Sequence, residues 1–549
     1  MSRYLLKFIF PALAALLFFN TSSPVIAKQL NIGEGAVTGS LDTTVSAGTA
    51  WRVEKHDRDL IGDDKGGNGG SINGDDGNFN YNRGAISRIT KVTHELELNY
   101  RNLGLFVRGN YFYDFYNEHK NKLSSDAKDE IGKHINLLDF YIQYGFDFNE
   151  HLLNVRLGHH VLSWGESTFI GNGINIVNPL NISMLQKPGS ELRDALLPVP
   201  MVSATYDISD NISIEGFYQF SFEHTEITPP GSFFSSSDIV GPGGDIAWLG
   251  NKEGAAGLGI PRADSEAGDS GQFGFALRVF SPSLNETEFG LFYINYHSRL
   301  PILSARTGTK EANDNGNYLG SSHYLLEYPD DIHLIGVSFN TLLIRSGVAL
   351  QGEFTYRDNM PLQIDDNELI PALLTPTNTG TTQLGRYNFS EEIRAYKRKK
   401  VGQWQVTASR FFGPSNPFKA TSGSVIGEVG FMRVFNMEDK RRLKYDGPLI
   451  ATADAFSWGY RLAAQADYAN AIGPVRLSPG IAYSHDVQGI SPTPGGSFVE
   501  GQSAYTLGLK ASYIEKWQAD LNYTRYYGIE HINLIHDRDF VAFNIKYFF

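Results

Sequence analysis

The chain contains no cysteine, and this absence limits how it can be stabilised and anchored. No disulfide framework can form in an oxidising compartment, and no N-terminal cysteine can carry a lipid anchor. The fold of these 549 residues must therefore depend on backbone pairing and side-chain packing.

Long hydrophobic runs are also missing beyond the first 27 residues. Each transmembrane helix needs about 20 consecutive apolar residues, so a polytopic helical membrane protein is excluded. The formal net charge of -13 disfavours nucleic-acid binding, because the chain would repel phosphate. Disorder is also disfavoured by a hydrophobic content of 41%, with 28 Tyr and 36 Phe. These properties indicate a large, aromatic-rich protein dominated by β-structure.

The N-terminus has the three parts of a secretory signal. Arg3 and Lys7 precede an apolar stretch from Phe8 to Phe19, and small residues follow up to Ala27. This apolar stretch is too short to span a bilayer comfortably. We predict that residues 1–27 are a cleaved signal peptide and that residues 28–549 form a single β-barrel domain.

The last nine residues show a period of two in polarity. Apolar residues occupy 541, 543, 545, 547 and 549, whereas Asn544 and Lys546 lie between them. This period of two predicts a strand that runs to Phe549. Such a strand resembles the signal that the outer-membrane barrel assembly machinery recognises, which predicts that machinery as a partner. The alternative is an exposed edge strand of a soluble protein, which would promote aggregation.

The same alternation recurs in about eighteen segments, so we predict an all-β, antiparallel outer-membrane β-barrel of about 18 strands (14–18 strands fit the pattern). Short links alternate with long polar ones, as they do in barrels with short periplasmic turns and long outer loops. The long links are predicted at 54–88, 117–135, 163–199, 225–270, 299–330, 359–400, 487–502 and 529–537. The apolar face would contact outer-membrane lipid and lipopolysaccharide.

The link at 163–199 is too apolar for a solvated loop and too irregular for a strand. We expect it to fold inward as a constriction loop or partial plug, because irregular backbone at membrane depth needs protein or a water-filled cavity around it. A lid that packs only on outer loops is the alternative. The residues predicted to line the constriction are Trp164, Glu166, Phe169, Asn175 and Asn178 in the link, with Arg156 and His160 on the polar face of the preceding strand.

Several stretches together resemble one protein family. They are residues 43–62, 71–81, 161–179, 192–202 and 231–245, and they include VLSWGESTFIGNGINIVNP. On these stretches the chain is identified as a member of the domain-of-unknown-function 1302 family of proteobacterial outer-membrane β-barrel proteins. Members are often encoded beside RND-type exporters of hydrophobic molecules, so the resemblance implies traffic of apolar compounds and an RND-type transporter or periplasmic carrier as a partner.

Four smaller features carry weaker hypotheses. Asn73, Asp75, Asp76 and Asn78 lie in an acidic, glycine-rich loop with oxygen ligands for Ca²⁺, but the EF-hand spacing is absent and a solvated loop is the simpler interpretation. His159 and His160 cannot chelate one metal, because adjacent strand residues point to opposite faces. The basic run at 397–400 is either a contact for anionic lipopolysaccharide or headgroups, or a solvated strand end.

The fourth hypothesis concerns an ion pair in the lumen. If Arg101 pairs with Gly104 across a two-residue turn, Glu97 lies opposite Arg108 on the inner face of the barrel. Such a pair would stiffen the wall and shape the electric field that a permeating molecule experiences.

Together these features predict a channel rather than an enzyme. No catalytic constellation or cofactor site is found in the sequence, and no nucleic-acid partner is expected. We predict an outer-membrane channel for uptake or export of a small hydrophobic or amphipathic molecule, gated or narrowed by residues 163–199. The alternatives are a general diffusion porin and a non-conducting scaffold for an RND-type exporter or periplasmic partner.

Overall fold

The main sheet of the protein closes on itself. The computed structural model describes residues 28–33, 35–148, 151–377, 382–448, 451–530 and 532–549, so the predicted signal peptide lies outside the described residues. The main sheet has 19 strands, of which β1 pairs antiparallel with the first residues of β2; the other 18 form a closed antiparallel ring. The predicted all-β barrel of about 18 strands is therefore confirmed.

The described strands, in chain order, are β1 (Lys28–Ile32), β2 (Val37–Arg52), β3 (Gly84–Tyr100), β4 (Leu103–Asp114), β5 (Lys133–Phe148), β6 (His151–His160), β7 (Val199–Ser209), β8 (Ile212–Gln219), β9 (Ile246–Trp248), β10 (Gly259–Ser265), β11 (Phe273–Ser281), β12 (Thr287–Tyr296), β13 (Ile302–Arg306), β14 (His323–Glu327), β15 (Ile332–Leu343), β16 (Val348–Gln363), β17 (Glu392–Ile393), β18 (Tyr396–Phe412), β19 (Ser422–Phe435), β20 (Phe456–Ile472), β21 (Val475–Gln488), β22 (Ser503–Tyr513), β23 (Trp517–Tyr527) and β24 (Phe540–Phe548).

The C-terminal strand closes the barrel. β24 pairs with β23 on one side and with β2 on the other, from Thr44 opposite Phe548 to Arg52 opposite Phe540. Asn544 and Lys546 are buried in the interior, whereas Phe543 and Ile545 are exposed on the outer face. The predicted alternation of the last nine residues is therefore present, and no edge strand is left exposed there.

The wall has an apolar outer face and a polar inner face. The largest exposed apolar side chains include Ile135 at 84% and Leu137 at 68% of their full exposure. On β19 the carboxylate of Glu428 is buried on the inner face, whereas Val425 is exposed on the outer face. An apolar face towards lipid and a polar lumen are the arrangement expected of a membrane barrel.

Links of two lengths separate the barrel strands, as the sequence predicts. The short links include 101–102, 210–211 and 473–474, and all of them lie at the end of the barrel where the strand β24 stops. The long links lie at the other end and include 436–455, a link that the sequence prediction omitted. Apolar residues of this link, such as Leu443 and Tyr445, pack in a buried cluster.

The long links fold on one another instead of extending into solvent. Five of their strands form a second sheet in the order β17-β13-β14-β10-β9. A hydrophobic core that includes Ala305, Leu326, Leu369 and Ile393 lies against this sheet. The described α-helices are all short: α1 (Asp76–Phe79), α2 (Phe115–Glu118), α3 (Ser125–Ile131), α4 (Ile182–Leu185), α5 (Leu192–Ala195), α6 (Lys310–Asp314), α7 (Tyr318–Ser321) and α8 (Asp366–Leu373). None of the described helices is long and apolar enough to cross a membrane.

The predicted register of the first short hairpin is wrong. Tyr100 pairs with Leu103 across a turn at Arg101 and Asn102, and Arg101 takes a left-handed backbone with φ of 52°. Glu97 therefore lies opposite Phe106, and Arg108 lies opposite Glu95.

The predicted ion pair between Glu97 and Arg108 consequently does not form. The guanidinium of Arg108 instead lies 2.6 Å from the carboxylate of Asp139 on β5. The error comes from counting Arg101 as a strand residue, which shifts every partner by two positions and leaves each side chain on its predicted face.

Candidate functional site

The link between β6 and β7, residues 161–198, is closed at its base by one buried asparagine. The side-chain oxygen of Asn178 accepts a hydrogen bond from the Leu162 backbone N–H at 2.8 Å. Its amide group donates to the carbonyls of His160 at 3.1 Å and Leu197 at 2.9 Å. One side chain thus connects the beginning, middle and end of the link. We call this link, residues 161–198, the channel segment.

A carboxylate on β16 binds the channel segment. Glu353 is 5% exposed, and its oxygens accept hydrogen bonds from the backbone N–H groups of Glu166 at 2.6 Å, Ser167 at 3.2 Å and Ile174 at 2.9 Å. The Gln405 side chain donates a fourth hydrogen bond at 2.9 Å. Hydrogen bonds to an ionised acceptor are among the strongest in proteins, so Glu353 fixes this turn of the segment to the wall.

A second carboxylate, on β19, binds the adjacent turn. Glu428 is 2% exposed and accepts hydrogen bonds from the backbone N–H groups of Thr168 at 2.8 Å, Phe169 at 2.7 Å and Ile170 at 2.7 Å. The Thr407 hydroxyl donates to it at 3.0 Å. We call Glu353 and Glu428 the carboxylate anchors, because together they accept six backbone hydrogen bonds from the segment.

Glycine is required where the segment meets the first anchor. A Cβ atom on Gly173 would lie 1.7 Å from Oε1 of Glu353 and 2.4 Å from the Gln405 amide nitrogen. At Gly165, a Cβ would lie 2.4 Å from Oε2 of Glu353, and the backbone φ of +87° also favours glycine. The two glycines allow the backbone to approach the carboxylate from both sides.

Aromatic side chains of the segment pack on widely separated strands. The Trp164 ring packs against Phe217 of β8 and Phe292 of β12, with ring centroids 5.1 Å and 5.7 Å apart, and its N–H donates to Glu215 at 2.8 Å. Phe169 packs with Ala463 of β20 and Ala482 of β21. The six residues from Trp164 to Phe169 therefore link strands that are not neighbours in the ring.

The second half of the segment is held by ion pairs. Asp194 lies 2.6 Å from the Lys91 ammonium on β3, and Glu191 lies 2.7 Å from the Lys546 ammonium on β24. Lys187 is buried over the Phe112 ring and donates to backbone carbonyls at 130 and 131. These charged groups are therefore bound to other parts of the protein.

The residues predicted to form the constriction lie in three separate places. Trp164 and His160 are fully buried, and the imidazole of His160 lies 2.8 Å from the Ser203 hydroxyl within the wall. Arg156 lies over the Tyr141 ring at 4.6 Å. None of these three contributes to the cavity described next.

Phe169, Asn175 and Asn178 do come together, along one cavity of about 150 Å³. Apolar side chains make up much of its lining, among them Ile170, Ile176, Leu180, Leu192 and Leu300. Arg299 also contributes, and its guanidinium is fixed by the carbonyl of Val177 at 2.8 Å and by Gln219 at 2.7 Å. The cavity therefore combines an apolar lining with a few fixed polar groups, which is the usual composition of a small-molecule site.

Glu166 lies apart from this cavity. Its side chain accepts a hydrogen bond from Asn340 at 3.1 Å, and its carbonyl accepts one from Gln351 at 2.7 Å. Glu166 is partly exposed, and its partner Asn340 lies near the short-link end of β15.

The profile of one protein family matches residues 9–549, nearly the whole chain, and its description is "protein of unknown function (DUF1302)". The chain belongs to this family. No curated protein sequence matches it.

Solved structures with a similar fold are distant in sequence. OccAB1 of Acinetobacter baumannii has 9% identity and a TM-score of 0.43, covering 96% of this chain and 99% of that chain. A BenF-like porin of Pseudomonas fluorescens has 9% identity and a TM-score of 0.43, covering 93% and 98%. OccD3 of Pseudomonas aeruginosa has 10% identity and a TM-score of 0.39, covering 96% and 94%.

The four oxygen-bearing residues of the acidic loop do not converge on one point. The Lys65 ammonium lies 2.9 Å from Asp75 and 2.8 Å from Asp76, and it also contacts Glu253 at 2.9 Å. Asn73 hydrogen-bonds to the backbone of residue 248, and Asn78 to Arg52 and Asp537. Calcium binding by this set stays a prediction: Lys65 pairs with Asp75 and Asp76, and Asp75 also lies within a group of three carboxylates with Asp238 and Glu253.

This loop cluster should be more stable in mild acid. Burial is the largest cause that raises the pKa of Asp75, Asp238 and Glu253 above their ordinary values. A carboxyl group with a raised folded-state pKa binds its proton more tightly when folded, so its contribution to stability is lost as pH rises through that range. Lys65 stays charged throughout, because the charges of Asp76 and Asp75 outweigh burial and raise its pKa.

We expect backbone amides at 62–78 to exchange hydrogen more slowly at pH 5 than at pH 8, after correction for intrinsic rates. Asp238→Asn should reduce this difference, whereas Asp245→Asn, a change at an exposed neighbour, should leave it intact. Equal protection at both pH values in the unmodified protein would contradict the prediction.

Proposed function

We propose that the protein is a channel in the outer membrane of a Gram-negative bacterium. The closed ring of strands supports this proposal, because it leaves no unpaired edge and satisfies the backbone hydrogen bonds that lipid cannot satisfy. The apolar outer face supports it as well, since such a surface would be unstable in water. The short links would face the periplasm and the long links the exterior.

The channel segment is proposed to cross the lumen and narrow it. The observation that carries this proposal is the pair of carboxylate anchors, which hold the segment on β16 and β19 although it leaves the ring from β6. A lid that packed only on the outer loops would not need six backbone hydrogen bonds to the inner wall. Trp164 would fix the segment on the near side, and Phe169 on the far side.

The cargo is proposed to be a small apolar or amphipathic molecule. The cavity beside Phe169, Asn175 and Asn178 has about the volume that holds one benzene molecule in an engineered apolar cavity. Its apolar lining would contact a hydrocarbon part, while Asn175 and Arg299 would orient a polar group. Uptake and export are both compatible with this site, and no catalytic step is proposed. An RND-type transporter or periplasmic carrier is proposed as the partner that supplies or removes the cargo.

Flux measurements in proteoliposomes test this function. We expect an aromatic sulfonate to pass at least about ten times faster than a sugar of similar mass, because a matched apolar pocket discriminates by about 1–3 kcal/mol. Leu192→Asp with Leu300→Asp should remove this preference, whereas Leu284→Asp, at a short link, should preserve it.

Equal flux of both solutes would favour a general diffusion porin. No flux of either solute, even with the channel segment replaced by a Gly-Ser linker, would favour the non-conducting scaffold.

A further inference from the structure

The basic run at 397–400 divides between two faces of β18. Lys397 and Lys399 both pair with Glu438 in the following long link, at 3.1 Å and 2.7 Å. Arg398 and Lys400 point to the opposite face, because successive residues of a strand alternate. The run therefore consists of two separate pairs of cations. Glu438 neutralises the pair Lys397 and Lys399, and Arg398 and Lys400 form the outward pair.

A third cation joins the outward pair from the neighbouring strand. Gly402 lies opposite Arg433 of β19, so Arg433 shares the outer face with Lys400 and is its diagonal neighbour. We call Arg398, Lys400 and Arg433 the outer cationic patch. All three are exposed.

Of the three side chains in the patch, that of Arg398 is hydrogen-bonded within the protein. The Arg398 guanidinium donates to the backbone carbonyls of Asn359 at 3.2 Å and Asp330 at 2.6 Å. Within the described ranges, the side chains of Lys400 and Arg433 take part in no hydrogen bond or ion pair. Two exposed cations are thus available to an anion from outside, on a chain whose formal net charge is -13.

A row of aromatic side chains lies directly beside the patch, towards the middle of the wall. Phe354 stacks on Trp404 with centroids 4.8 Å apart, and Phe431 stacks on Trp458 at 5.8 Å. Trp404 and Phe431 are direct cross-strand partners on the outer face. Aromatic belts mark the boundary between hydrocarbon and headgroups in membrane barrels. The cations therefore lie at headgroup depth, at the end with the long links.

We propose that the outer cationic patch binds a phosphate group of lipid A, the membrane anchor of lipopolysaccharide. The inference relies on the orientation given under the proposed function, in which the long links face the exterior leaflet. Diagonal cross-strand neighbours such as Lys400 and Arg433 lie about 7–8 Å apart, so one phosphate can contact cations on both strands while the acyl chains lie along the aromatic row. A phosphate held by two cations forms charge-assisted hydrogen bonds, which are stronger than neutral ones.

The test measures binding of lipid A to the detergent-purified full chain by native mass spectrometry. The double variant Lys400→Gln with Arg433→Gln should bind lipid A about tenfold or more weakly, since each cation near an anionic surface contributes about 1 kcal/mol. The matched control is Arg410→Gln with Lys419→Gln, which removes two exposed cations near the short-link end of the same strand. The control should bind as the unmodified protein does.

Two further ligands test which chemical group the patch recognises. Dephosphorylated lipid A should bind the unmodified protein as weakly as phosphorylated lipid A binds the patch variant. Phosphatidylglycerol should bind more weakly than lipid A. Equal binding of lipid A by the patch variant and the unmodified protein would overturn the proposal, and so would a preference for phosphatidylglycerol.

The binding assay needs only a folded barrel, which resistance to unfolding in cold detergent confirms for each variant. A barrel that binds lipid A and passes no solute would overturn the proposed transport but not this site. A barrel that passes solute normally and ignores lipid A would overturn this site alone.

Discussion

Replacing both carboxylate anchors by alanine is expected to raise the single-channel conductance of the protein several-fold. Glu353 and Glu428 together accept six backbone N–H groups of the channel segment. Each buried donor left without a partner costs about 1–3 kcal/mol. Loss of the partners of six donors would therefore make the attached conformation of the segment less stable than a detached one. The segment should then detach from β16 and β19 and leave a wider, water-filled lumen.

The measurement is ion current through single channels in planar bilayers, for Glu353→Ala with Glu428→Ala against the unmodified protein. Glu97→Gln is the matched control, because Glu97 is an inward-facing carboxylate whose hydrogen bond is to Asn99 of its own strand. The control should leave the current unchanged. Unchanged current in the double anchor variant, with the barrel intact, would show that the anchors do not restrict passage.

Gly173→Ala is also expected to raise the conductance, because it disrupts the contact with Glu353 by changing the channel segment instead of the wall. The added methyl group would lie 1.7 Å from Oε1 of Glu353, far inside van der Waals contact, and the nearby Gln405 amide leaves no room for the carboxylate to retreat. Overpacking of this kind typically costs about 1–3 kcal/mol. Conductance should therefore rise, although less than in the double anchor variant.

A double-mutant comparison separates this mechanism from general damage. In the Glu353→Ala background the 1.7 Å clash is gone, and the Gln405 amide at 2.4 Å is the movable end of a flexible side chain, so Gly173→Ala should add little to the conductance. Gly413→Ala is the control glycine, because a Cβ there meets no atom within 4 Å. Additive effects of Gly173→Ala and Glu353→Ala would contradict the contact as the cause.

The sequence was sufficient to predict the barrel because the barrel repeats one simple rule. Alternation of polarity at a period of two is a local property, so each of the eighteen segments could be recognised by itself. β24 is the clearest case, with its apolar positions 541, 543, 545 and 547 outward and Asn544 and Lys546 inward. The register of the hairpin at Arg101 was less predictable, because it depends on which residues adopt the turn conformation.

The anchors could not have been found in this way. Alternation places Glu353 and Glu428 on the inner face, but nothing local indicates that they bind a segment more than 170 residues earlier in the chain. Trp164 illustrates the complementary error. A large aromatic ring in an inward segment suggested an aperture, whereas burial against Phe217 and Phe292 removes far more apolar surface from water.

The most direct test of a segment-narrowed channel compares the single-channel conductance of the unmodified protein with that of a variant in which Ser163–Pro179 is replaced by a Gly-Ser linker of equal length. The account predicts small or rare current steps in the unmodified protein and large, steady steps in the replacement. Large ohmic steps of the same size in both proteins would contradict it and indicate an open general porin.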